Sequence, residues 1–306
     1  MVGLDLGFGY TKVAVKGQSA RLIKVPSVFK KLRDGYTEIS EFVEYAGERW
    51  VVGERAMEYP GVSPTLLSVQ DLIRYAPVFL LYLTQHKGLN GIKKVATGLP
   101  PEFLRPYAQE LKERIASTLG ISSDDVGVFP QGVGILIDVF NKVSSLSRVL
   151  VVDIGFNTLD IVYATRRSGG SFKVDFSRTY SESGILFLAQ KLRDALGREV
   201  PIIKNMGAQE MLRVVEEGKL NISGRVYDLT DYVINLKQEY VEEVKWKLQE
   251  LKDVLIVSEA LVLGGGGAYY IKPQDFADVH SHVILPQDPE YAQARGYYKL
   301  LEMLNE

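Results

Sequence analysis

Near the start of the chain, "DLGFGYTK" places Asp5, Gly7, Gly9, Thr11 and Lys12 in one tight segment. A second segment, "DIGFNTLD" (Asp153 to Asp160), repeats the arrangement without gaps: Asp5 aligns with Asp153, Gly7 with Gly155, and Thr11 with the region of Thr158–Leu159. Glycines let backbone N–H groups turn toward phosphate oxygens and approach them closely. Thr11, Asn157 and Thr158 add hydroxyl or amide donors, and Lys12 adds a positive charge. The aspartates cannot meet phosphate directly, because like charges repel; they make sense if a hydrated Mg²⁺ stands between. A third glycine run, "VLGGGGAYY" (Val262 to Tyr270), is expected to leave a flat backbone surface on which a planar base can lie. One such turn alone fits an ordinary hairpin equally well. Neither GxGxxG opening a helix nor GxxxxGK[ST] is present, so the Rossmann and P-loop solutions do not apply. The two copies in register are what point to a triphosphate.

Composition narrows the chemistry further. The 306 residues contain no cysteine, which removes disulfides, thiolate metal sites and a cysteine nucleophile. Of His86, His280 and His282, the last two could form half a metal site, but a surface strand is the simpler reading. A net charge of −2 argues against direct, non-specific nucleic-acid binding. Asp5 interrupts the only early apolar run, so no signal peptide is expected. The most apolar stretch, "APVFLLYLT" (Ala76 to Thr84), is half the ~18 residues a membrane span needs and reads as a buried helix. A cytoplasmic protein without a membrane partner is expected.

These turns need rigid elements to hold them. Val2–Leu6 and Thr11–Lys16 read as a hairpin, and Arg148–Arg166 as a second strand, turn, strand unit. Between them, residues of about 25–60 form a small excursion with strand-like fragments. Gln70–Gly88 has helical periodicity, with Pro77 expected to kink or interrupt it. "KKVATGLP" reads as a strand, "PPEFLRPYAQELKERIASTLG" as a helix, "DVGVF" as a strand, and a helix is expected to start at Pro130. Beyond "FKVDFSRTY", helices are expected over Gly184–Gly197, "GAQEMLRVVEEGK" and "LTDYVINLKQEYVEEVKWKLQEL", then a buried strand into the four glycines and a last helix over about Pro289–Leu304. The result is two α/β halves, each opening on a hairpin, with a cleft between them.

In this order the three turns make the chain resemble the actin-like ATPases of the actin, Hsp70 and sugar-kinase superfamily. "DLGFGYTK" looks like the phosphate-1 motif, "DIGFNTLDIVY" the phosphate-2 motif and "LVLGGGGAYY" the adenosine motif; "VFPQGVGILIDVF" and "YAQARGYYKLL" look like the two interdomain helices. Within the superfamily, the length, "PQGVG" and the ending look most like ParM-type plasmid-segregation actins and their archaeal relatives. The resemblance implies a two-domain actin-like fold built from duplicated ribonuclease-H-like domains. Domain I would comprise residues 1–150 plus 288–306, and domain II residues 151–287, with an insertion at about 200–235.

It further implies ATP or ADP as ligand, with Mg²⁺ held through water by Asp5 and Asp153. Lys12 would contact the β- and γ-phosphates. Gln131 would orient the attacking water, and Asp160 is the better candidate to polarise it, since glutamine has no proton acceptor of useful pKa. Gln131, Asp160 and Asp153 thus form the implied catalytic set. Nucleotide contacts would come from Asp5, Gly7, Phe8, Gly9, Tyr10, Thr11 and Lys12 in the first turn, and Gly155, Phe156, Asn157 and Thr158 in the second. Gly264, Gly265, Gly266, Gly267 and Tyr269 would complete them, with Glu210 and Arg213 on the ribose or base. Phe156 departs from the family pattern, which has a small residue there; its bulk either narrows the pocket or points away. The implied function is an ATPase that polymerises into filaments, for plasmid segregation or as a cytoskeleton, meeting DNA through an adaptor protein. A sugar-type kinase of the same superfamily is the alternative, weakened by the absence of an acid before Asp138 in "FPQGVG".

Overall fold

The computed structural model describes residues 1–15, 21–32, 40–59, 66, 68–198 and 200–304. Lys16, residues 33–39 and 60 of the expected excursion, and residues 305–306 lie outside these. In chain order the first half runs β1 (Val2–Leu6), β2 (Tyr10–Val15), β3 (Arg21–Pro26), β4 (Phe29–Lys31), β5 (Val43–Tyr45), β6 (Glu48–Val52), α1 (Glu54–Glu58), α2 (Val69–His86), β7 (Val95–Leu99), α3 (Pro101–Leu119), β8 (Val126–Pro130), α4 (Val133–Asp138) and α5 (Phe140–Val143). The second runs β9 (Arg148–Ile154), β10 (Thr158–Arg166), β11 (Phe172–Ser181), α6 (Leu186–Leu196), α7 (Ala208–Glu217), β12 (Lys219–Ile222), β13 (Arg225–Asp228), α8 (Thr230–Gln249), α9 (Lys252–Val257), β14 (Ala260–Gly264), β15 (Val283–Ile284) and α10 (Ala292–Met303).

The apolar run of β1 is buried at every position, as a central strand covered on both faces requires. It pairs antiparallel with β2 and parallel with β7, giving the sheet order β3-β2-β1-β7-β8. The second half repeats this as β11-β10-β9-β14-β15, with β9 in the place of β1, antiparallel to β10 and parallel to β14. The sequence repeat is therefore a repeat of topology and of strand direction. The excursion of the first half is the small sheet β4-β6-β5.

Three expectations are corrected. Helix α2 runs unbroken through Pro77, which is buried within it. The helix buries ten residues, and at roughly 1.5–3 kcal/mol per large apolar side chain this outweighs the ~3 kcal/mol cost of an interior proline. No helix starts at Pro130: that residue ends β8, and Gly132 at φ 91° turns the chain before α4 begins at Val133. The hairpin β12–β13 was not anticipated. It turns on Ser223 (φ 50°) and Gly224 (φ 80°), both left-handed, as a type I′ turn demands. His280 and His282 lie in the loop before β15, where their rings bond the Ser258 and Glu259 carbonyls at 3.0 and 3.1 Å.

Helices α4 and α10 join the halves. Helix α10 packs on β1, β2 and β7 and crosses α4. A Cβ at Gly296 would stand 1.7 Å from the Gly134 carbonyl oxygen, so the crossing is backbone on backbone and only glycine fits. Asp138 at the end of α4 is held by Arg295 at 2.7 Å and Lys299 at 2.7 Å, both on α10. Among the described residues no helix is long and apolar enough to cross a membrane.

Candidate active site

The two hairpins close in the same way. The Gly7 N–H donates to the Tyr10 carbonyl at 3.2 Å, and the Gly155 N–H to the Thr158 carbonyl at 2.9 Å. Strand register sets Lys12 opposite Asp5 in the first hairpin and Asp160 opposite Asp153 in the second. The duplicated frame thus carries a lysine on one side where it carries a carboxylate on the other.

The turns present donors rather than acceptors. The carbonyls of Gly155, Phe156 and Asn157 accept from Ile185, Leu186 and Gly184 at the start of α6. In the first turn, Ser27 Oγ donates to the Gly7 carbonyl at 2.6 Å, and the Gly9 carbonyl accepts from the Ser27 N–H and from Gln209 Nε2 at 3.1 Å. Gln209 lies on α7, so this last bond spans the two halves. The N–H groups of Phe8, Gly9, Phe156 and Asn157 are left without acceptors among the described residues. Buried or half-buried amides of this kind need a partner, and two turns of them facing each other have the chemistry of an anion site.

Between the turns lies a cavity of about 430 Å³, within the range of small-ligand sites. Its inner wall carries Asp5, Lys12, Gln131, Asp153 and Asp160. Lys12 Nζ donates to Asp5 at 2.8 Å. Burial pulls the Lys12 ammonium down, but Asp5 and the more distant Asp153 outweigh it and hold the group above its ordinary value. Burial pushes Asp153 well up, and the Asp5 and Asp160 carboxylates push it in the same direction. Asp160 is raised to about 7, by burial, against the opposing hydrogen bonds from Thr179 (2.7 Å) and Thr158 (2.8 Å), one to each carboxylate oxygen.

Three buried carboxylates facing one ammonium leave this wall short of positive charge. Mg²⁺ fits that deficit: it takes one or two carboxylates and fills the rest of its octahedron with water and phosphate oxygens. Asp5 and Asp153, one on each hairpin, are the two carboxylates that could hold it through water. Among the described residues no cluster of three or more His, Asp or Glu forms a complete metal cage.

The sequence-expected residues fall into distinct positions. Asp5, Gly7, Phe8, Gly9, Tyr10, Lys12, Gln131, Asp153, Gly155, Phe156, Thr158, Asp160, Gly266 and Tyr269 line the cavity. Thr11 and Asn157 are buried beside it, Thr11 within 3.3 Å of the Ser27 hydroxyl. The four glycines do not form one flat surface. A Cβ would meet Ile135 at Gly264, Asp153 Oδ1 at 2.3 Å from Gly265, and Ile154 at Gly267; only at Gly266 is the space open. Phe156 lays its ring on Gly9, where a Cβ would come within 2.5 Å of it. Its bulk therefore bridges the two turns.

Glu210 and Arg213 are not at the cavity: both are exposed, and Arg213 pairs with Glu217 at 3.7 Å. One turn further on, Glu216 lines the cavity and accepts from the Tyr270 hydroxyl at 2.9 Å, with Lys237 of α8 nearby in the wall. Nothing in the periodicity of α7 separates residue 213 from 216, since both lie on its exposed face. Ser27 was also missed: a single serine between Pro26 and Val28 carries no mark of its two bonds to the first turn. Glu290 was missed too; it lines the cavity and pairs with Lys24, whose ammonium sits 4.2 Å above the Tyr10 ring.

The family profile "Actin like proteins N terminal domain" matches residues 3–134, and "Archaeal actin homologue MreB-like, C-terminal" matches residues 151–274. The chain belongs to the actin-like proteins. Solved structures share its two-domain fold over nearly the full length. A 15-stranded ParM filament from Clostridium botulinum superposes with a TM-score of 0.78 at 20% identity, covering 99% of this chain and 98% of the other. An archaeal actin homologue in complex with ADP gives 0.68 at 17% identity, covering 99% of both chains. MreB5 of Spiroplasma citri bound to AMPPNP gives 0.73 at 16% identity, covering 99% and 96%. Comparison with curated proteins finds no match.

Proposed function

We propose that this actin-like chain binds ATP with Mg²⁺ between its two hairpins, hydrolyses it, and assembles into filaments as it does so. The observation that carries the reading is the mirrored pair of turns: free N–H groups on both lips, Lys12 on one strand and buried carboxylates on the other three facing positions. Phosphoryl transfer needs little covalent chemistry from a protein; positioning and charge neutralisation supply most of the catalysis. Lys12 and the turn amides hold the phosphates. Asp5 and Asp153 hold the metal, whose chemistry is to neutralise charge developing on the phosphates. Gln131 orients the attacking water. Asp160 accepts its proton: burial makes its carboxylate more basic than an exposed one, and its two threonine donors still leave lone pairs free. The outer wall, with Glu216, Lys237, Tyr269, Tyr270 and the open face at Gly266, receives ribose and base.

Bridging contacts such as Gln209 to Gly9 and Phe156 on Gly9 exist only while the halves are close. Ligand bound across both lips favours that closed form, and loss of the γ-phosphate weakens it. Filament assembly is supported by the family and by a ParM relative solved as a filament. A cytoplasmic role in DNA segregation through an adaptor protein, or as a cytoskeleton, completes the reading. Sedimentation tests it: the protein pellets with ATP and Mg²⁺ and not without nucleotide. A protein that stays in the supernatant over a range of concentrations and salt refutes assembly.

A further inference from the structure

Gln293, on the first turn of α10, is 1% exposed, and every polar atom of its side chain is used. Its Oε1 accepts from the Gly132 N–H at 3.3 Å and from the Ile135 N–H at 3.1 Å. Its Nε2 donates to the Tyr297 hydroxyl at 2.6 Å, one turn further along α10. Helix α4 has no side-chain cap of its own, because its N-cap residue is Gly132. The orphan donors at its start are therefore satisfied by a residue more than 150 positions later. The residue before Gly132 is Gln131, whose N–H is held by the Leu99 carbonyl at 2.8 Å and which lines the cavity.

Several contacts fix the Gln293 side chain in place. Helix α10 cannot slide, because Gly296 lies on Gly134 and the Gly134 Cα faces the Gln293 carbonyl, which a Cβ would meet at 2.4 Å. Tyr297 is fully buried, and a Cβ at Gly98 would come within 1.8 Å of its hydroxyl. Burial and the nearby carboxylates of Asp5, Asp153 and Asp160 keep that hydroxyl protonated, so its role as hydrogen-bond partner does not change with pH.

We infer that Gln293 is a positioning residue for hydrolysis: as the cap of α4 supplied from the other interdomain helix, it sets where Gln131 holds the attacking water. The inference rests on the hydrolytic reading above. It requires an acceptor at this position, not an amide as such. Gln293→Glu keeps the acceptor, since a buried, neutral carboxyl still receives both N–H groups through its carbonyl and donates to Tyr297. Gln293→Leu keeps the bulk and removes the acceptor.

Amide hydrogen exchange and steady-state phosphate release on the wild type and both variants provide the test. Gln293→Leu is expected to raise exchange at Gly132 and Ile135 at least tenfold and to lower kcat at least tenfold, with the dissociation constant for ATP·Mg²⁺ within about threefold of the wild type. Gln293→Glu is expected to restore exchange and kcat to within about threefold. Wild-type exchange and kcat in Gln293→Leu overturn the inference. So does equal loss of kcat, nucleotide affinity and melting temperature in both variants, which marks a merely structural residue. If the wild type releases no phosphate, the hydrolytic reading fails; the exchange difference then still reports whether Gln293 caps α4.

Discussion

Asp160 makes the stability of the nucleotide-free protein depend on pH in a direction opposite to that of a salt-bridged aspartate. Its carboxyl is raised to about 7 in the folded chain and returns to its ordinary value near 3.8 on unfolding. Below about pH 4 both states hold the proton and the group contributes nothing. Between about pH 4 and 7 the folded state holds a proton that the unfolded state has lost, so stability falls as pH rises. Above about 7 both are ionised, and the full cost of a buried carboxylate is present. At 1.36 kcal/mol per pH unit, the loss between about pH 5 and 8 is roughly 3 kcal/mol. Asp153, raised by burial and by its acidic neighbours, adds to it in the same direction. Asp160→Asn is neutral throughout and fills the same volume. Melting of the wild type and of Asp160→Asn, both free of nucleotide and metal, is expected to diverge with pH. The gap in favour of the variant should grow by on the order of 5–10 °C from about pH 5 to 8. Adding ATP and Mg²⁺ to the wild type should flatten its own dependence, because the cation favours the ionised carboxylates. Parallel melting curves for the two proteins across that range refute the burial argument.

Lys12→Met removes the ammonium and leaves Asp5 buried without its partner. We expect a loss of roughly 3–5 kcal/mol in stability, and ATP binding at least tenfold weaker by calorimetry. Gly9→Ala forces a methyl into the Phe156 ring, 2.5 Å away, and should destabilise the closed cleft by about 1–3 kcal/mol. Phe156→Ala in the same chain should recover most of that loss, and a double-mutant cycle that is simply additive contradicts the contact. Asp138→Ala strips two cations of their shared anion at the crossing of α4 and α10, and should lower the melting temperature more than Lys299→Ala does, since Arg295 is the better buried of the two cations.

The fold was largely legible because its two halves repeat. Glycine turns between apolar runs identify β1–β2 and β9–β10, and their alignment in register already contains the duplicated sheet order. What the sequence could not carry was the result of competition between local rules and packing. Pro77 breaks a helix in isolation, but not one that buries most of its length. Pro130 suits either a helix start or a strand end, and Gly132 decides it through its positive φ. The inner wall of the site was readable for the same reason as the fold: two copies of one pattern. The outer wall was not. Glu216, Lys237 and Glu290 come from three separate elements, and only the folded chain brings them together. The glycine run after β14 shows the same limit. Three of its members are small because Ile135, Asp153 and Ile154 press against them, a pressure invisible in the run itself.

The proposed hydrolysis of ATP between the two hairpins depends on Asp153, on one lip, to hold the metal. Phosphate release by the wild type and by Asp153→Asn, each saturated with ATP and Mg²⁺, tests it most directly. Steady release by the wild type is expected, with a fall of at least a hundredfold in the variant while it remains folded. Equal release by the two proteins, or none by a wild type that binds ATP, would contradict the proposal.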